Sequence, residues 1–395
     1  MRRALRGAAR AWPWGGPGPE RRPWRGRCRG RGRGGGSPAA VRPREGPPWR
    51  VLFFGTDAFA RDTLRALGHA RVNEEDQLIE KLEVVTLPSG SPKGLPVKNY
   101  AVQARLPVHE WPDVGSGEFD VGVVASFGRL LGEDLILRFP YGILNVHPSY
   151  LPRWRGPAPV IHTVLHGDTV TGVTIMQIKP KRFDVGPIIK QESIAVPPLC
   201  TAKDLEAILS KLGATVLLSV LKNLPDSLKN KRQQPKEGVT LAPKISAALR
   251  CVNWEEQTPE QILRLQRAVG CIMPLQTVWM DSTIKLLDLV DVHDHPALAD
   301  QKLSGQEVLP GSLTYHKPSQ TLLVRCKGGW VGVRAVILKR KLTASDFYNG
   351  YLHPWFQQNP QARPGACRFR TLKLQPKQRL QGEPELLLCN SVLSI

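Results

Sequence analysis

Residues 49–55, WRVLFFG, decide the fold of the first half of the chain, because they form a mostly apolar run that ends in glycine. A run of this length and character is typical of a strand that is buried on both faces of a sheet. Stretches with helical spacing follow at 59–67 and 131–139. Further strand-like runs alternate with them, as LEVVTL at 82–87, FDVGVVAS at 119–126 and YGILNVH at 141–147. This alternation predicts an α/β domain with a parallel sheet covered by helices on both faces.

A second, smaller domain is predicted farther along the chain. Residues 226–249 are polar and basic, which is typical of a linker between domains. A helical segment follows at 254–269, and after it come the short strand-like runs TVWM, TIKLLDLV, GSLTYH, TLLVRC and GWVGVRAVILK. Short strands at close spacing indicate a small barrel, and OB-like barrels often bind nucleic acid. We therefore expect a first domain over 49–225, an OB-like barrel over 250–356 and a loose C-terminal tail over 357–395.

The net charge of +21 is spread unevenly along the 395 residues. Residues 1–50 contain 14 Arg and two acidic residues, residues 51–225 are balanced, and residues 226–395 contain 23 basic and 14 acidic residues. A neutral first domain and a basic second domain indicate that one part of the chain binds a polyanion. The sequence has no run of about 18 consecutive apolar residues, so we expect no membrane partner.

Residues 1–48 are rich in Arg, Gly and Pro and nearly free of acidic residues. The opening MRRALRGAARAW sets four Arg among Ala and Leu, which is typical of an organellar transit peptide, and it lacks the apolar block of a secretory signal. The alternative is a disordered basic arm that binds RNA in place, for which RGRCRGRGRGGG has the right composition. We favour the transit peptide because folded sequence begins abruptly at Trp49.

The cysteine and histidine patterns argue against a metal site. The seven cysteines are scattered, odd in number and never in a CxxC pair, which is typical of free thiols in a reducing compartment. His162 and His166 are four residues apart on a predicted helix, a spacing that zinc sites use. However, the sequence HTVLH lacks the adjacent Glu of the metalloprotease motif, and no third ligand is evident. We therefore expect no metal.

Asn145, His147 and Asp184 are the candidate catalytic residues. Asn145 and His147 are two residues apart at the end of a predicted strand, so their side chains leave the same face of the sheet. An amide can stabilise the oxyanion of a carbonyl under attack, and an imidazole can exchange protons near neutral pH. Asp184 follows a further strand and can orient or balance the charge of the histidine. The first strand ends in Gly55-Thr56-Asp57, so the GxGxxG dinucleotide fingerprint is absent.

The segment 145–187 closely resembles the folate-dependent formyltransferases. Their motif is matched by Asn145-Val-His147-Pro-Ser149-Tyr-Leu151-Pro152, Arg155-Gly156, Thr171-Gly-Val-Thr174 and Asp184-Val-Gly186. Three further features resemble the branch that acts on methionyl-tRNA, namely LPRWRGPAP at 151–159, FFGTDAFA at 53–60, and a C-terminal module with Ala242-Pro-Lys-Ile245 and Trp254. The resemblance extends over residues 49–356.

The resemblance implies a Rossmann-like parallel-sheet formyltransferase domain followed by a smaller OB-like domain. It also implies that the chain transfers the formyl group of 10-formyltetrahydrofolate to the α-amino group of methionyl-tRNA, with Asn145, His147 and Asp184 as the catalytic residues. Together with the transit-like arm it indicates the mitochondrial matrix, and we expect a monomer. The family's folate site falls on the residues Ser149, Tyr150, Leu151 and Pro152. The loop that would line the pterin pocket consists of Ala125, Ser126, Phe127 and Gly128.

Two departures from the bacterial pattern concern substrate binding. Position 150 is Tyr, where bacterial members usually carry Leu, and the loop 88–96 is shorter than the bacterial tRNA-binding loop and keeps one cation, Lys93. The basic second half supplies sequence-independent attraction for tRNA. We expect the tRNA contacts to involve Lys93, Arg153, Arg155, Lys339, Arg340 and Lys341.

Two other functions fit part of the sequence. A formyltransferase or folate hydrolase that acts on a small molecule would have the same first domain, but its substrate needs no additional polycation. An inactive mitochondrial RNA-binding protein on the same scaffold would have no physical reason to keep Asn145, His147 and Asp184 together.

Overall fold

The computed structural model describes residues 44–72, 77–292, 308–362 and 366–374. The predicted transit segment lies outside these ranges, apart from residues 44–48. The first lobe contains a seven-stranded sheet, whose strands are β1 Trp49–Gly55, β2 Ile79–Thr86, β3 Val108–Glu110, β4 Val121–Ala125, β5 Ile143–His147, β6 Val170–Gln177 and β7 Ile188–Ala195. Its helices are α1 Ala58–Val72, α2 Pro96–Gln103, α3 Glu133–Ile136, α4 Pro159–His166, α5 Ala202–Lys222 and α6 Leu224–Lys229.

The strand order of this sheet is β3-β2-β1-β4-β5-β6-β7. Strands β1 to β5 are parallel, whereas β6 and β7 extend the sheet with antiparallel pairing. The predicted α/β class is confirmed. The antiparallel edge is an addition that strand–helix alternation did not indicate: β6 is antiparallel to β5 although α4 lies between them, and no helix separates β6 from β7.

Strand β1 is buried on both faces, as its continuous apolar run predicts. Val51 and Phe53 pack into one apolar cluster, and Leu52 and Phe54 pack into a second cluster on the opposite face. The helix predicted at 131–139 is short, since only α3 is helical there. The chain beyond α3 turns at Gly142, which has a φ of +69°, and leads into β5.

The second lobe is an antiparallel sheet with flanking helices. Its strands are β8 Leu275–Trp279, β9 Ser282–Asp291, β10 Leu313–His316, β11 Thr321–Cys326, β12 Gly329–Ile337 and β13 Lys341–Thr343. They are ordered β10-β11-β12-β9-β8, with β13 beside β12. The helical segments are a 3₁₀ turn at Ala247–Arg250, α7 Pro259–Val269, α8 Ala344–Phe347, a π-helical turn at Tyr348–Leu352, and α9 His353–Gln358. Helix α7 begins later than predicted because Thr258 caps it, in a reciprocal capping box with Gln261.

The predicted linker, 226–249, lies against the first lobe instead of spanning open space. Its first four residues complete α6. Beyond them, Arg232 exchanges two backbone hydrogen bonds with Ile188 of β7, and Leu241 forms a parallel bridge with Arg155. We call residues 230–246 the connector. It ends where the second lobe begins, and α4 of the first lobe packs against α7 of the second.

The prediction of a loose tail over 357–395 does not hold for residues 366–371. Phe369 is fully buried, and its ring lies against Trp254 and Phe347. The backbone of Arg370 exchanges hydrogen bonds with Val278 of β8. This short stretch adds a bridge to the sheet through tertiary contacts, and such contacts leave no periodic signal in its own sequence.

Candidate active site

A cavity of about 1010 Å³ opens at the carboxyl ends of the parallel strands. This is where α/β sheets bind ligands. Its wall contains Thr56 and Asp57 after β1, residues 126–128 after β4, and the end of β5. Cys271 and Ile272 of the second lobe complete the wall, so the cavity belongs to both lobes.

Asn145, His147 and Asp184 meet at this cavity, as the sequence predicts. The Asn145 amide donates from Nδ2 to Oδ1 of Asp184 over 3.2 Å. The Nδ1 atom of His147 lies 3.7 Å from the same carboxylate oxygen. Asn145 and His147 share a face because β5 has the two-residue period of a strand.

Asp184 is held in an uncommon backbone conformation. Its φ is +52°, in the left-handed region that Asp adopts more readily than most residues other than glycine. The backbone N–H of Gly156 donates to Oδ2 of Asp184 over 2.9 Å, and the Gln234 amide donates to its carbonyl oxygen over 2.9 Å. The turn is also tight, because a Cβ on Gly186 would lie 1.7 Å from the carbonyl oxygen of Gln177. The carboxylate is therefore positioned by contacts on several sides.

The hydrogen bond that His147 makes determines its neutral tautomer. Its side chain is buried, and Nε2 lies 2.9 Å from the carbonyl oxygen of Trp154. A carbonyl oxygen only accepts, so Nε2 carries the proton, and Nδ1 is the basic nitrogen of the neutral ring. Nδ1 is the nitrogen that faces Asp184. A proton that enters this site from the cavity therefore meets a nitrogen lone pair and a carboxylate oxygen together.

The cavity wall also contains Asp57 and Glu206, two carboxyl groups that sequence reasoning missed. Asp57 accepts from the backbone N–H of Ala60 over 3.0 Å, and burial raises its pKa. Burial also raises the pKa of Glu206, and the charges of Asp57 and Asp62 raise it further. Asp57 directly follows β1, so its position at a strand end was a usable signal. Glu206 lies within α5 and has no such signal.

The predicted pterin loop lies at the cavity, with one exception. Ser126, Phe127 and Gly128 line the wall, whereas Ala125 is the buried last residue of β4 and does not. Ser126 and Gly128 have φ angles of +44° and +70°, which bend the loop around the cavity edge. The Thr56 hydroxyl donates to the carbonyl oxygen of Ser126 over 2.6 Å and ties this loop to the end of β1.

The structure does not bring the other four predicted folate residues, Ser149, Tyr150, Leu151 and Pro152, to the cavity wall. Buried Ser149 donates from Oγ to the carbonyl oxygen of Arg153, and buried Leu151 donates its backbone N–H to Thr174. Tyr150 is exposed on the outside of the turn. The chain folds back after His147, so this segment braces β6 and the connector instead of facing the cavity.

Arg153 and Arg155, predicted to contact tRNA, both pair with side chains of the same chain. The Arg153 guanidinium pairs with both oxygens of Asp168 and lies 4.3 Å from the centre of the Trp154 ring. The hydrogen bond to Asp168 raises the pKa of Arg153. Arg155 donates from Nε and Nη2 to Oε1 of Gln234, and burial lowers its pKa. These contacts favour a structural role for both side chains.

The other four predicted tRNA residues, Lys93, Lys339, Arg340 and Lys341, are exposed. Lys93 lies between β2 and α2, Lys339 and Arg340 lie in the turn between β12 and β13, and Lys341 is the first residue of β13. Arg340 and Lys341 border a second cavity of about 540 Å³, together with Asp346. Contact of these cations with tRNA stays a prediction.

His162 and His166 do not converge as metal ligands would. Nε2 of His162 lies 3.0 Å from the carbonyl oxygen of Pro243, and Nδ1 of His166 lies 2.9 Å from the carbonyl oxygen of His162. Both rings pack near Trp154. Within the described ranges, no group of three or more His, Cys, Asp or Glu side chains is arranged to hold a metal. The same ranges contain no helix with the length and apolar character needed to cross a bilayer.

Comparisons with known proteins agree with this architecture. A family model described as formyl transferase matches residues 113–221, and one described as formyl transferase, C-terminal domain, matches residues 244–352. Two solved structures have similar folds. A sugar 3N-formyl transferase, WlaRD, crystallised with dTDP and 5-N-formyl-THF, is 17% identical with a TM-score of 0.51, covering 75% of this chain and 99% of its own. An N-formyltransferase from Helicobacter canadensis, in complex with folinic acid and dTDP-3-aminofucose, is 15% identical with a TM-score of 0.53, covering 74% and 99%.

Full-length relatives are far more similar. The mitochondrial methionyl-tRNA formyltransferase of Bos taurus is 73% identical over 339 residues, which cover 86% of this chain and 87% of that protein. The enzyme of the same name from Homo sapiens is 71% identical over 348 residues, which cover 88% and 89% of the two chains. The resemblance inferred from the motifs is thereby confirmed, and the chain belongs to the family of mitochondrial methionyl-tRNA formyltransferases.

Proposed function

We propose that the cavity between the two lobes transfers a formyl group from 10-formyltetrahydrofolate to the α-amino group of methionyl-tRNA. The reaction takes place in the mitochondrial matrix and produces formylmethionyl-tRNA for the initiation of translation. Family membership supports the reaction, the acceptor and the compartment. The observation that carries the chemistry is the meeting of Asn145, His147 and Asp184 at one cavity.

The reaction exchanges one C–N bond for another. The unprotonated methionyl amine attacks the formyl carbon on N10 of the folate, and negative charge develops on the formyl oxygen. The Asn145 amide has two N–H groups, of which one donates to Asp184 and the other is available to that oxygen. Donors that are already oriented toward a developing oxyanion stabilise the transition state without reorganising during the reaction.

One proton must move during the transfer. The attacking amine loses a proton, and N10 of the folate gains one as it leaves, so no net proton is consumed. Asp184 Oδ1 faces both Asn145 Nδ2 and His147 Nδ1, and it is therefore suited to take the proton from the amine and return it to N10. His147, once protonated at Nδ1, balances the charge of Asp184 or donates to the formyl oxygen.

The folate cosubstrate needs a large, partly apolar pocket. The cavity volume of about 1010 Å³ lies at the upper end of the range for ligand pockets. Phe127 contributes an aromatic wall, and the backbone of Ser126 and Gly128 supplies polar groups at the cavity edge. We assign the pterin end to this loop and not to the turn that contains Tyr150.

Single-turnover formylation of methionyl-tRNA by the full chain, with 10-formyltetrahydrofolate as the donor, tests this proposal. Asn145→Ala is expected to slow the chemical step by about 10²–10³, the usual contribution of an oxyanion donor. Asn230→Ala is a matched control, since this exposed asparagine lies at the end of α6. If Asn145→Ala, His147→Ala and Asp184→Asn all keep near-normal rates, the assignment of the site is wrong.

A further inference from the structure

The connector contributes one side chain, Gln234, to the site just described. We infer that Gln234 is a positioning residue of the reaction, which acts through Asp184 and does not itself touch the substrates. This inference rests on the proposed function, because it concerns the carboxylate that moves the proton. Gln234 is absent from the cavity wall and half-buried beneath the turn of residues 184–186.

All the hydrogen-bonding groups of the Gln234 amide are in use. Its Nε2 atom donates to the carbonyl oxygens of Asp184 and Gly186, over 2.9 and 2.8 Å. Its Oε1 atom accepts from Nε and Nη2 of Arg155, over 2.9 and 2.5 Å. An amide whose four hydrogen bonds are all made is held in one orientation.

The chemistry of these partners requires an amide at position 234. Backbone carbonyls only accept and a guanidinium only donates, so a flipped amide would face four groups of the wrong kind. A carboxylate at this position would keep the two bonds from Arg155. It would also place an oxygen against the carbonyl oxygens of Asp184 and Gly186, which carry partial negative charge and repel it. Glutamate therefore has nearly the same shape as glutamine, but its carboxylate cannot donate hydrogen bonds to these two carbonyl oxygens.

Gln234 controls both ends of the hydrogen bond that orients the catalytic carboxylate. On one side it holds the backbone of Asp184, which has a φ of +52°. On the other side it holds Arg155, and the next residue, Gly156, donates its N–H to Oδ2 of Asp184 over 2.9 Å. Loss of Gln234 would remove one support of the turn and one support of the donor at the same time, and would let the carboxylate shift relative to Asn145 and His147.

The connector is itself anchored on either side of Gln234. Before it, the backbone of Arg232 pairs with Ile188. After it, the Thr240 hydroxyl accepts from the backbone N–H of Trp154 over 2.8 Å, and the backbone N–H of Ala242 donates to the carbonyl oxygen of Arg155 over 2.7 Å. The segment that joins the two lobes therefore also sets the position of the proton-transfer group.

The test compares Gln234→Ala and Gln234→Glu with Gln233→Ala in the full chain. Gln233 is the adjacent glutamine, and its side chain makes an exposed contact with Lys179. The measured quantities are the single-turnover formylation rate with saturating substrates, the KM values for methionyl-tRNA and 10-formyltetrahydrofolate, and the Tm. Both Gln234 variants are expected to lose about 10- to 100-fold in rate, since a misplacement near 1 Å costs about 10²-fold. Their KM values should change less than about threefold, and Gln233→Ala should match the wild type.

A double-variant cycle separates positioning from general destabilisation. If Gln234 acts through Asp184, then Gln234→Ala slows the wild type but adds little to Asp184→Asn. An additive loss in the double variant would overturn the inference, and so would a wild-type rate in Gln234→Glu. If the rate falls only because Tm has dropped below the assay temperature, the role of Gln234 is purely structural, and the inference is overturned. Near-normal rates in Asn145→Ala, His147→Ala and Asp184→Asn together would instead refute the proposed function, so the two failures are distinguishable.

Discussion

The substitution Gly186→Ala tests how closely the position of Asp184 controls the reaction. Position 186 allows no side chain, because a Cβ there would lie 1.7 Å from the carbonyl oxygen of Gln177 and 3.1 Å from Cε of Met176. Real Cβ contacts essentially never fall below 3.0 Å, so the turn and β6 must separate by about 1.3 Å. The obstacle is backbone, which cannot rotate away as a flexible side chain can. The displacement is therefore transmitted to Asp184, two residues earlier.

The expected losses follow from this displacement. A shift of about 1 Å in a catalytic group costs about 10²-fold in rate, which corresponds to about 2.7 kcal/mol in the barrier. Overpacking of this kind lowers the free energy of unfolding by about 1–3 kcal/mol. A chain of this size with ordinary stability stays folded at that cost. Gly186→Ala should thus yield a folded protein that binds its substrates and reacts slowly.

The assay is single-turnover formylation of methionyl-tRNA with saturating 10-formyltetrahydrofolate, next to urea unfolding of the same preparation. Gly132→Ala is the control, because a Cβ on Gly132 meets nothing within 4 Å and its φ of −67° suits any residue. A Gly186→Ala protein that reacts within about threefold of the wild type would show that the turn accommodates the methyl group without moving Asp184. That result would refute the argument that this backbone sets the rate.

Two further predictions concern stability. Burial raises the pKa of Glu206, and the charges of Asp57 and Asp62 raise it further. The stabilisation from this group is therefore fully present below its unfolded pKa of about 4.3, and it is lost as pH rises through the folded pKa. Glu206→Gln should therefore raise Tm at about pH 8 and match the wild type at about pH 4; an equal gain at both pH values would contradict this cause. Phe369→Ala should lower the free energy of unfolding in urea by about 3–5 kcal/mol, since the ring is fully buried. A change below about 0.5 kcal/mol would mean that this stretch is a loose tail after all.

The parallel part of the first sheet was predictable because a strand that is buried on both faces has a continuous apolar run in its sequence. Strand β1 needs apolar residues at consecutive positions, since Leu52 and Phe53 face different clusters. The same two-residue period puts Asn145 and His147 on one face of β5, so their joint arrival at the cavity follows from their spacing alone.

Contacts between distant segments were not predictable in this way. The motif around Asn145 extends through Pro152. Judged from sequence alone, residues 149–152 are as suited to ligand binding as residues 145–147. Only the fold shows that the chain turns back after His147, so that Ser149 and Leu151 brace the interior while Ser126 lines the cavity. The direction in which a side chain points after the end of a strand depends on how the following turn packs, and the motif sequence does not specify that packing.

The sequence by itself determined the α/β class, a second lobe built of short strands and the candidate catalytic residues, because each depends on local periodicity or on short motifs. The tertiary structure decided what holds these residues in place. The polar composition of the connector predicts a solvated linker, yet Gln234 bonds to Asp184, fifty residues away in the chain. Hydrogen bonds between distant segments depend on how whole elements pack, and packing imposes no repeat on the residues that make such bonds.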